Sequence, residues 1–213
     1  MVKCNRVINI ISLCCLAFII SGCAVGFYKG RPSDLSKIEE LKDELTRLKE
    51  AKSLLEDKLR KEIDSDQVKV NMEDRGLVIT FLAEVLFDSG KSGIRREGKN
   101  ILDKVVRVIK DEDMNNDIGV EGHTDNEPIK HSGYKSNWEL STARATSVLH
   151  YLVDDCGLKP ERLSATGYGE YRPVESNDTL GGRQKNRRVE IIIKPAGEVA
   201  KAEKPADNKG YIK

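Results

Sequence analysis

The chain has 213 residues, with 36 basic and 35 acidic side chains and a formal net charge of +1. A mean hydropathy of -0.48 with 33% charged residues excludes a multi-spanning membrane protein and allows one modest core. The near-neutral balance and an aromatic content of 5% argue against a nucleic-acid partner, because neither a steering field nor a set of stacking platforms is present.

Lys3 and Arg6 precede an apolar run from Val7 to Ile20, the layout of a signal peptide and short for a bilayer span. The run ends in Ile20-Ser21-Gly22-Cys23, which resembles the bacterial lipobox. That resemblance implies acyl-chain attachment at Cys23 and cleavage before it, giving a signal segment 1–22 and a lipid anchor in a membrane. An uncleaved anchor helix is the alternative. Ala24, where an Asp would favour inner-membrane retention, implies the outer membrane with the rest of the chain in the periplasm. Loss of Lys3 and Arg6 takes the mature charge from +1 to −1. Cys4, Cys14 and Cys15 leave with the signal segment. Cys156 then has no disulfide partner, and its place near a helix end marks it as an inert thiol.

Residues 23–32 read as a lipidated tether. The stretch 33–66 reads as a helical, coiled-coil stalk with a heptad seam of Ile38, Leu45, Lys52 and Leu59 at one position and Leu41, Leu48, Leu55 and Glu62 at the other. Six of these eight positions are apolar, and no Gly or Pro interrupts 33–64. Two readings fit: a homo-oligomer through 35–62, or a single amphipathic helix packing on its own domain.

A domain is predicted over 67–194. Val68-Lys69-Val70 alternates, the Glu73–Gly76 stretch marks a turn, and Leu77 to Phe81 returns as a second strand. Val85-Leu86-Phe87 is a short apolar piece before the Asp88-Ser89-Gly90 loop. Ile94 to Lys110 is an amphipathic helix, with Ile101, Leu102, Val105, Val106 and Ile109 on one face. Ile118 to Gly122 reads as a strand, His123 to Ser136 as a long polar loop, and a helix to Asp155 follows, opened by a Ser136/Glu139 capping box and stopped by Gly157. Strands at 163–168 and 189–193 flank a polar loop at 177–186. The order β-β-α-β-α-β-β predicts an α+β fold, a two-layer sandwich of a mixed sheet with helices on one face. Residues 195–213 read as a disordered tail.

Four blocks carry a resemblance: Val120-Glu121-Gly122-His123-Thr124-Asp125; Ser136-Asn137-Trp138-Glu139-Leu140-Ser141 with Arg144-Ala145; Arg162-Leu163-Ser164 with Gly167-Tyr168-Gly169; and Asn186-Arg187-Arg188-Val189-Glu190. Together they resemble the OmpA C-terminal domain family, which includes Pal and MotB, over about residues 77–193, and the second block and long loop look closest to the MotB branch. The resemblance implies non-covalent binding of peptidoglycan through the diaminopimelate of its stem peptide, and no catalysis. Asp125 and Arg144 match the family's ligand-binding pair, and a fixed anion and a planar cationic fork suit the ammonium and carboxylate of a free diaminopimelate end. Thr124, Asn137 and Leu140 fall on the pocket pattern, and one of Arg187 and Arg188 lines it. A structural ion pair between Asp125 and Arg144 is the alternative. Trp138 is expected as a pocket wall or core plug rather than a sugar platform. His123 is expected as a positioning residue, since His131 and His150 lack metal-ligand spacing to it. No cofactor, metal or catalytic residue is implied. Residues 7–20 contain no acid, which sets the chain apart from an ion-driven motor stator. Two functions follow, a tether between membrane and wall, or an anchoring subunit of a larger envelope machine.

Overall fold

The computed structural model describes residues 32–112, 114–130 and 132–196. The signal segment, Cys23, nearly all of the tether, and the tail beyond residue 196 lie outside the described residues. Among those described, no helix is long and apolar enough to cross a membrane. Contacts divide the chain into Met1–Ile38 and Glu39–Lys213, and the core belongs to the second unit.

Helix α1 (Pro32–Lys58) and the short α2 (Arg60–Asp64) lead into a hairpin of β1 (Val68–Glu73) and β2 (Gly76–Leu82). A single turn, α3 (Ala83–Leu86), precedes α4 (Arg96–Asp111) and β3 (Ile118–Gly122). Helix α5 (Asn137–His150) continues through a wider π-type turn at Tyr151–Asp155, followed by β4 (Leu163–Gly167), α6 (Leu180–Asn186) and β5 (Arg188–Ile193). The five strands form one mixed sheet in the order β1-β2-β5-β3-β4. β3 and β4 run parallel, and the other neighbours are antiparallel.

Strand periodicity puts alternate residues on opposite faces, and the register aligns them in rows. One apolar row crosses all five strands as Val70, Ile79, Ile191, Val120 and Ala165. Val68, Phe81 and Val189 continue into Gly122 and Gly167 in the next row. These rows join Leu102, Val105 and Ile109 of α4 and Ala145 and Val148 of α5 in one core cluster. The opposite face carries a polar row, in which Glu190 stands directly across from Glu121. Like charges so placed repel, and Arg75 at the β1–β2 turn spans both, bonding Glu121 Oε2 and Glu190 Oε2 at 2.8 Å each.

The glycines in the second row have a spatial cause. A Cβ on Gly122 would lie 2.1 Å from the Ser141 carbonyl oxygen, and one on Gly167 would lie 2.2 Å from Thr142 Oγ1. Helix α5 therefore meets the sheet at backbone distance. Its start is capped as expected, Ser136 Oγ accepting from the Glu139 N–H at 3.3 Å. The reciprocal bond of the box goes one residue further out, from the Lys135 N–H to Glu139 Oε2.

Two sequence expectations are revised. The heptad seam divides in two: Leu48, Leu55 and Leu59 are fully buried in the domain core, while Ile38, Leu41 and Leu45 are exposed. The cause is the short link from helix to sheet. The Gln67 N–H bonds the Glu62 carbonyl and β1 begins at Val68, so the end of the helix cannot stand away from the sheet. Buried Glu62 is held by Lys104 of α4 at 2.7 Å. The segment read as a loop over 177–186 contains α6, capped by Thr179 Oγ1, which accepts from the Gly182 N–H at 3.0 Å.

Leu55→Ala is expected to lower unfolding free energy by about 2–5 kcal/mol, as for other buried leucines. Leu41→Ala on the exposed half of the stripe is expected to change it by no more than about 0.5 kcal/mol. Urea denaturation of residues 24–213 measures both.

Candidate functional site

A cavity of about 400 Å³ opens between the end of β3, the first turns of α5, the 87–90 loop and Arg187. Strand β3 delivers Asp125 three residues past its last paired position. The chain is held there by the bond of the Thr124 N–H to the Gly169 carbonyl (2.9 Å) and of Thr124 Oγ1 to the Asp125 carbonyl (2.9 Å). Asp125 is buried, and its Oδ2 accepts from Arg187 Nη1 at 2.5 Å. Its Oδ1 accepts a longer bond, 3.3 Å, from the Glu127 N–H.

Arg144 comes from the second turn of α5 and is 4% exposed. Its Nε donates to the Lys91 carbonyl at 3.0 Å, and its guanidinium lies 5.2 Å from the centre of the Phe87 ring. Among the described residues no carboxylate pairs with it. Burial, with Arg187 nearby, pushes its pKa down to about 10 against a weaker opposing pull from Asp125. The group stays cationic at neutral pH, and it is a buried charge on the cavity wall with its charge not paired.

The structure thus brings Asp125, Arg144, Thr124, Asn137, Leu140 and Arg187 to one cavity wall. The ion pair considered for Asp125 and Arg144 is instead one between Asp125 and Arg187. Asn137 acts as a clamp, its Nδ2 donating to the carbonyls of Asp125 and Glu127 and to Glu170 Oε2 (2.7 Å). Arg188 does not reach the cavity. Strand alternation turns it to the polar sheet face, where Nε donates to Glu190 Oε1 at 2.6 Å and both terminal nitrogens donate to the Arg172 carbonyl. Trp138 is neither wall nor plug: it is 48% exposed and stacks on Tyr171.

Sequence reasoning missed three supports of the site. Phe87 and the Lys91 carbonyl hold Arg144 from a segment read only as a short apolar piece and loop. Helix α6 ends at Arg187, whose N–H bonds the Arg183 carbonyl. Buried Asn186 ties that end to the 174–177 segment, its Oδ1 accepting from the Val174 and Glu175 N–H groups. A Thr-x-x-Gly cap before a glycine pair was the signal for α6, and the glycines masked it.

Glu121, His123 and Glu190 present potential metal ligands within 4.8 Å of one another. Arg75 already bridges both carboxylates and Arg188 holds Glu190, so the cluster is a charge network closed by guanidinium groups. Burial raises the carboxyl pKa of Glu190, and Arg188 and Arg75 outweigh it to leave a net lowering. His123, stacked on Tyr168 at 5.2 Å, has both ring nitrogens buried without a hydrogen-bond partner. Desolvation, reinforced by Arg188, takes its pKa down to about 3. Burial likewise pushes the Cys156 thiol up, in keeping with an inert group.

The OmpA family profile matches residues 86–187. Motility protein B of Bacillus subtilis is 40% identical over 157 residues, which is 74% of this chain and 60% of that protein. The Escherichia coli protein named "Probable lipoprotein YiaD" is 33% identical over 140 residues, 66% of this chain and 61% of that one. The chain therefore spans less than two thirds of these curated relatives. A solved structure, the cell wall anchor of the T6SS from Pseudomonas aeruginosa, superposes with a TM-score of 0.60 at 32% identity, covering 66% of this chain and 96% of that one.

The unpartnered imidazole predicts a pH effect. Between pH 6.5 and about 3 the unfolded chain binds a proton at His123 that the folded chain does not. Stability therefore falls as pH drops through that window, by up to about 1.4 kcal/mol per unit. His123→Phe, which keeps a ring against Tyr168, should flatten the acid limb, as read by urea midpoints from pH 7 to pH 4.

Proposed function

The chain belongs to the OmpA family, and from that premise we propose that it binds peptidoglycan non-covalently at the Asp125–Arg144 cavity, acting as a binding module and not an enzyme. The observation that carries this reading is the buried guanidinium of Arg144. A charge taken out of water needs a counter-charge, and Asp125 is engaged by Arg187 instead. A carboxylate entering the cavity would complete Arg144 with a two-pronged, charge-assisted pair. Asp125 keeps an oxygen, Oδ1, with one long bond, which can accept from an ammonium. A free diaminopimelate end carries both groups on one short chain, so the stem peptide is the ligand whose charges fit. Thr124, Asn137 and Leu140 shape the wall around it.

In this reading the anchor is the acylated Cys23, which places the protein on the outer membrane with the domain in the periplasm. The match to a relative named as a lipoprotein supports it. The tether, helix and tail then distribute as signal segment 1–22, lipidated tether 23–32 and OmpA-like domain to residue 194, with α1 contributing its second half to that domain.

A second reading has its own support. One similar structure is named a cell wall anchor of the T6SS and one relative a motility protein, so the chain can equally serve as the wall-anchoring subunit of a larger envelope machine. The exposed Leu41 and Leu45 supply a short apolar seam for homo-oligomer formation or docking, shorter than the 35–62 expected from the heptads.

Residues 24–213 are expected to co-pellet with purified diaminopimelate-type peptidoglycan. Arg144→Ala and Asp125→Asn should each weaken binding by about thirtyfold or more, the cost of removing one side of a buried charge pair, with circular dichroism confirming the fold. Retention of a well-folded wild type in the supernatant would sink the reading. Cys23→Ser in the whole chain should move the protein from the membrane fraction to the soluble fraction on cell fractionation.

A further inference from the structure

Trp138 and Tyr171 stack with ring centres 5.1 Å apart and planes 23° from parallel, yet remain 48% and 65% exposed. Trp138 follows Asn137, which lines the cavity, and Tyr171 follows Glu170, which Asn137 bonds at 2.7 Å. Trp138 is thus the sequence neighbour of a cavity-lining residue, and Tyr171 the neighbour of a residue bonded to it. The placement of the pair is fixed from below. The Gly169 N–H bonds Ser141 Oγ, and a Cβ on Gly169 (φ 57°) would lie 3.5 Å from Trp138 Cδ2. Glu139 and Thr142 border the shallow depression beside Trp138.

We propose that this aromatic pair is a second subsite that stacks a pyranose ring of the peptidoglycan glycan strand. The proposal rests on the wall-binding reading of the neighbouring cavity and extends it from the peptide to the sugar. A pyranose offers a flat apolar C–H face and a polar rim. An exposed, pre-stacked aromatic surface receives the face at little cost in side-chain ordering. Glu139, which lines the depression beside Trp138 with one carboxylate oxygen accepting from the Lys135 N–H, is the acceptor nearest in sequence for the rim hydroxyl and N-acetyl groups. Connectivity supplies the reason for a sugar rather than another partner. In peptidoglycan the stem peptide is covalently joined to the glycan, and the few residues between diaminopimelate and the sugar span about 10 Å at 3.3–3.6 Å each. A peptide seated in the cavity thus brings a sugar to its rim, where the aromatic pair stands. Joining two weak sites on one polymer raises overall affinity without new contacts at either.

The chain contains a single tryptophan, so its emission reports this subsite directly. Residues 24–213, which hold the whole core, are titrated with peptide-free glycan strands prepared by amidase digestion, and separately with a free diaminopimelate-containing tripeptide. Glycan strands are expected to change Trp138 emission saturably. Tyr171→Ala, a change at an exposed position, is expected to weaken that binding about tenfold while leaving tripeptide affinity, read by calorimetry, within about twofold. No emission response to glycan, or equal glycan binding by Tyr171→Ala, overturns the proposal. Emission that depends on protein concentration without glycan also overturns it, marking the pair as a contact between copies. Failure of the tripeptide alone to bind, with the glycan response intact, would defeat the cavity reading and leave the aromatic subsite standing.

Discussion

The contact on which the molecule depends is the backbone-to-backbone approach of α5 to the sheet at Gly122 and Gly167. No other residue type leaves room there, since a single added carbon would meet the Ser141 carbonyl or Thr142 at little more than 2 Å. Ser141, fully buried at the crossing, accepts from the Gly169 N–H and donates to the Trp138 carbonyl. It thereby couples helix, β4 and the turn that follows β4. Because the helix is pressed so close, residues at its start and second turn, Asn137 and Arg144, border the same cavity as Asp125 at the end of β3. Moving the helix out by the width of a side chain would separate the carboxylate from the guanidinium and open the cavity to bulk water. The affinity of a charged site depends on that exclusion.

Charge is handled differently on the two faces of the sheet. On the polar face, Glu121 and Glu190 lie opposite each other and are bridged by Arg75, with Arg188 completing Glu190. Both carboxylates of that pair are met by guanidinium groups, and that network serves stability. At the cavity the count is left open. Asp125 pairs with Arg187 while, among the described residues, Arg144 keeps a backbone bond and an aromatic neighbour but no carboxylate. The proposed binding site rests on this contrast between a closed network of buried charge and an incomplete one. The two consecutive arginines take different tasks because Arg187, at the end of α6, reaches the cavity while Arg188, the first residue of β5, joins the network.

Much of this was legible in the chain. Strands with period-two alternation, the amphipathic α4, the capped start of α5 and its stop at Gly157 follow from local patterning, and the order of elements already implied a mixed sheet covered on one face. Asp125, Arg144, Asn137 and Leu140 were identifiable because their blocks resemble a known family at workable spacings. The heptad seam was also legible as a stripe, but a stripe does not say what covers it. Leu48 and Leu55 follow the same periodicity as Leu41 and Leu45, and only the short link into β1 decides that the first two close on their own domain. Helix α6 was hidden because two glycines lower its intrinsic propensity, and tertiary bonds through Thr179, Arg183 and Asn186 override that preference.

What the sequence determined by itself was therefore what depends on periodicity and caps: the α+β class and the order of the strands and long helices, with Asp125 and Arg144 singled out by a family resemblance. The tertiary structure decided who partners whom. It gave Asp125 to Arg187, left Arg144 with its charge unpaired, turned Arg188 away and set Trp138 on the surface beside Tyr171. The reason is physical. Local pattern constrains the direction of a side chain relative to its own element. Partnership depends on how closely two elements pack and in which register, and both are set by contacts between residues far apart in the chain.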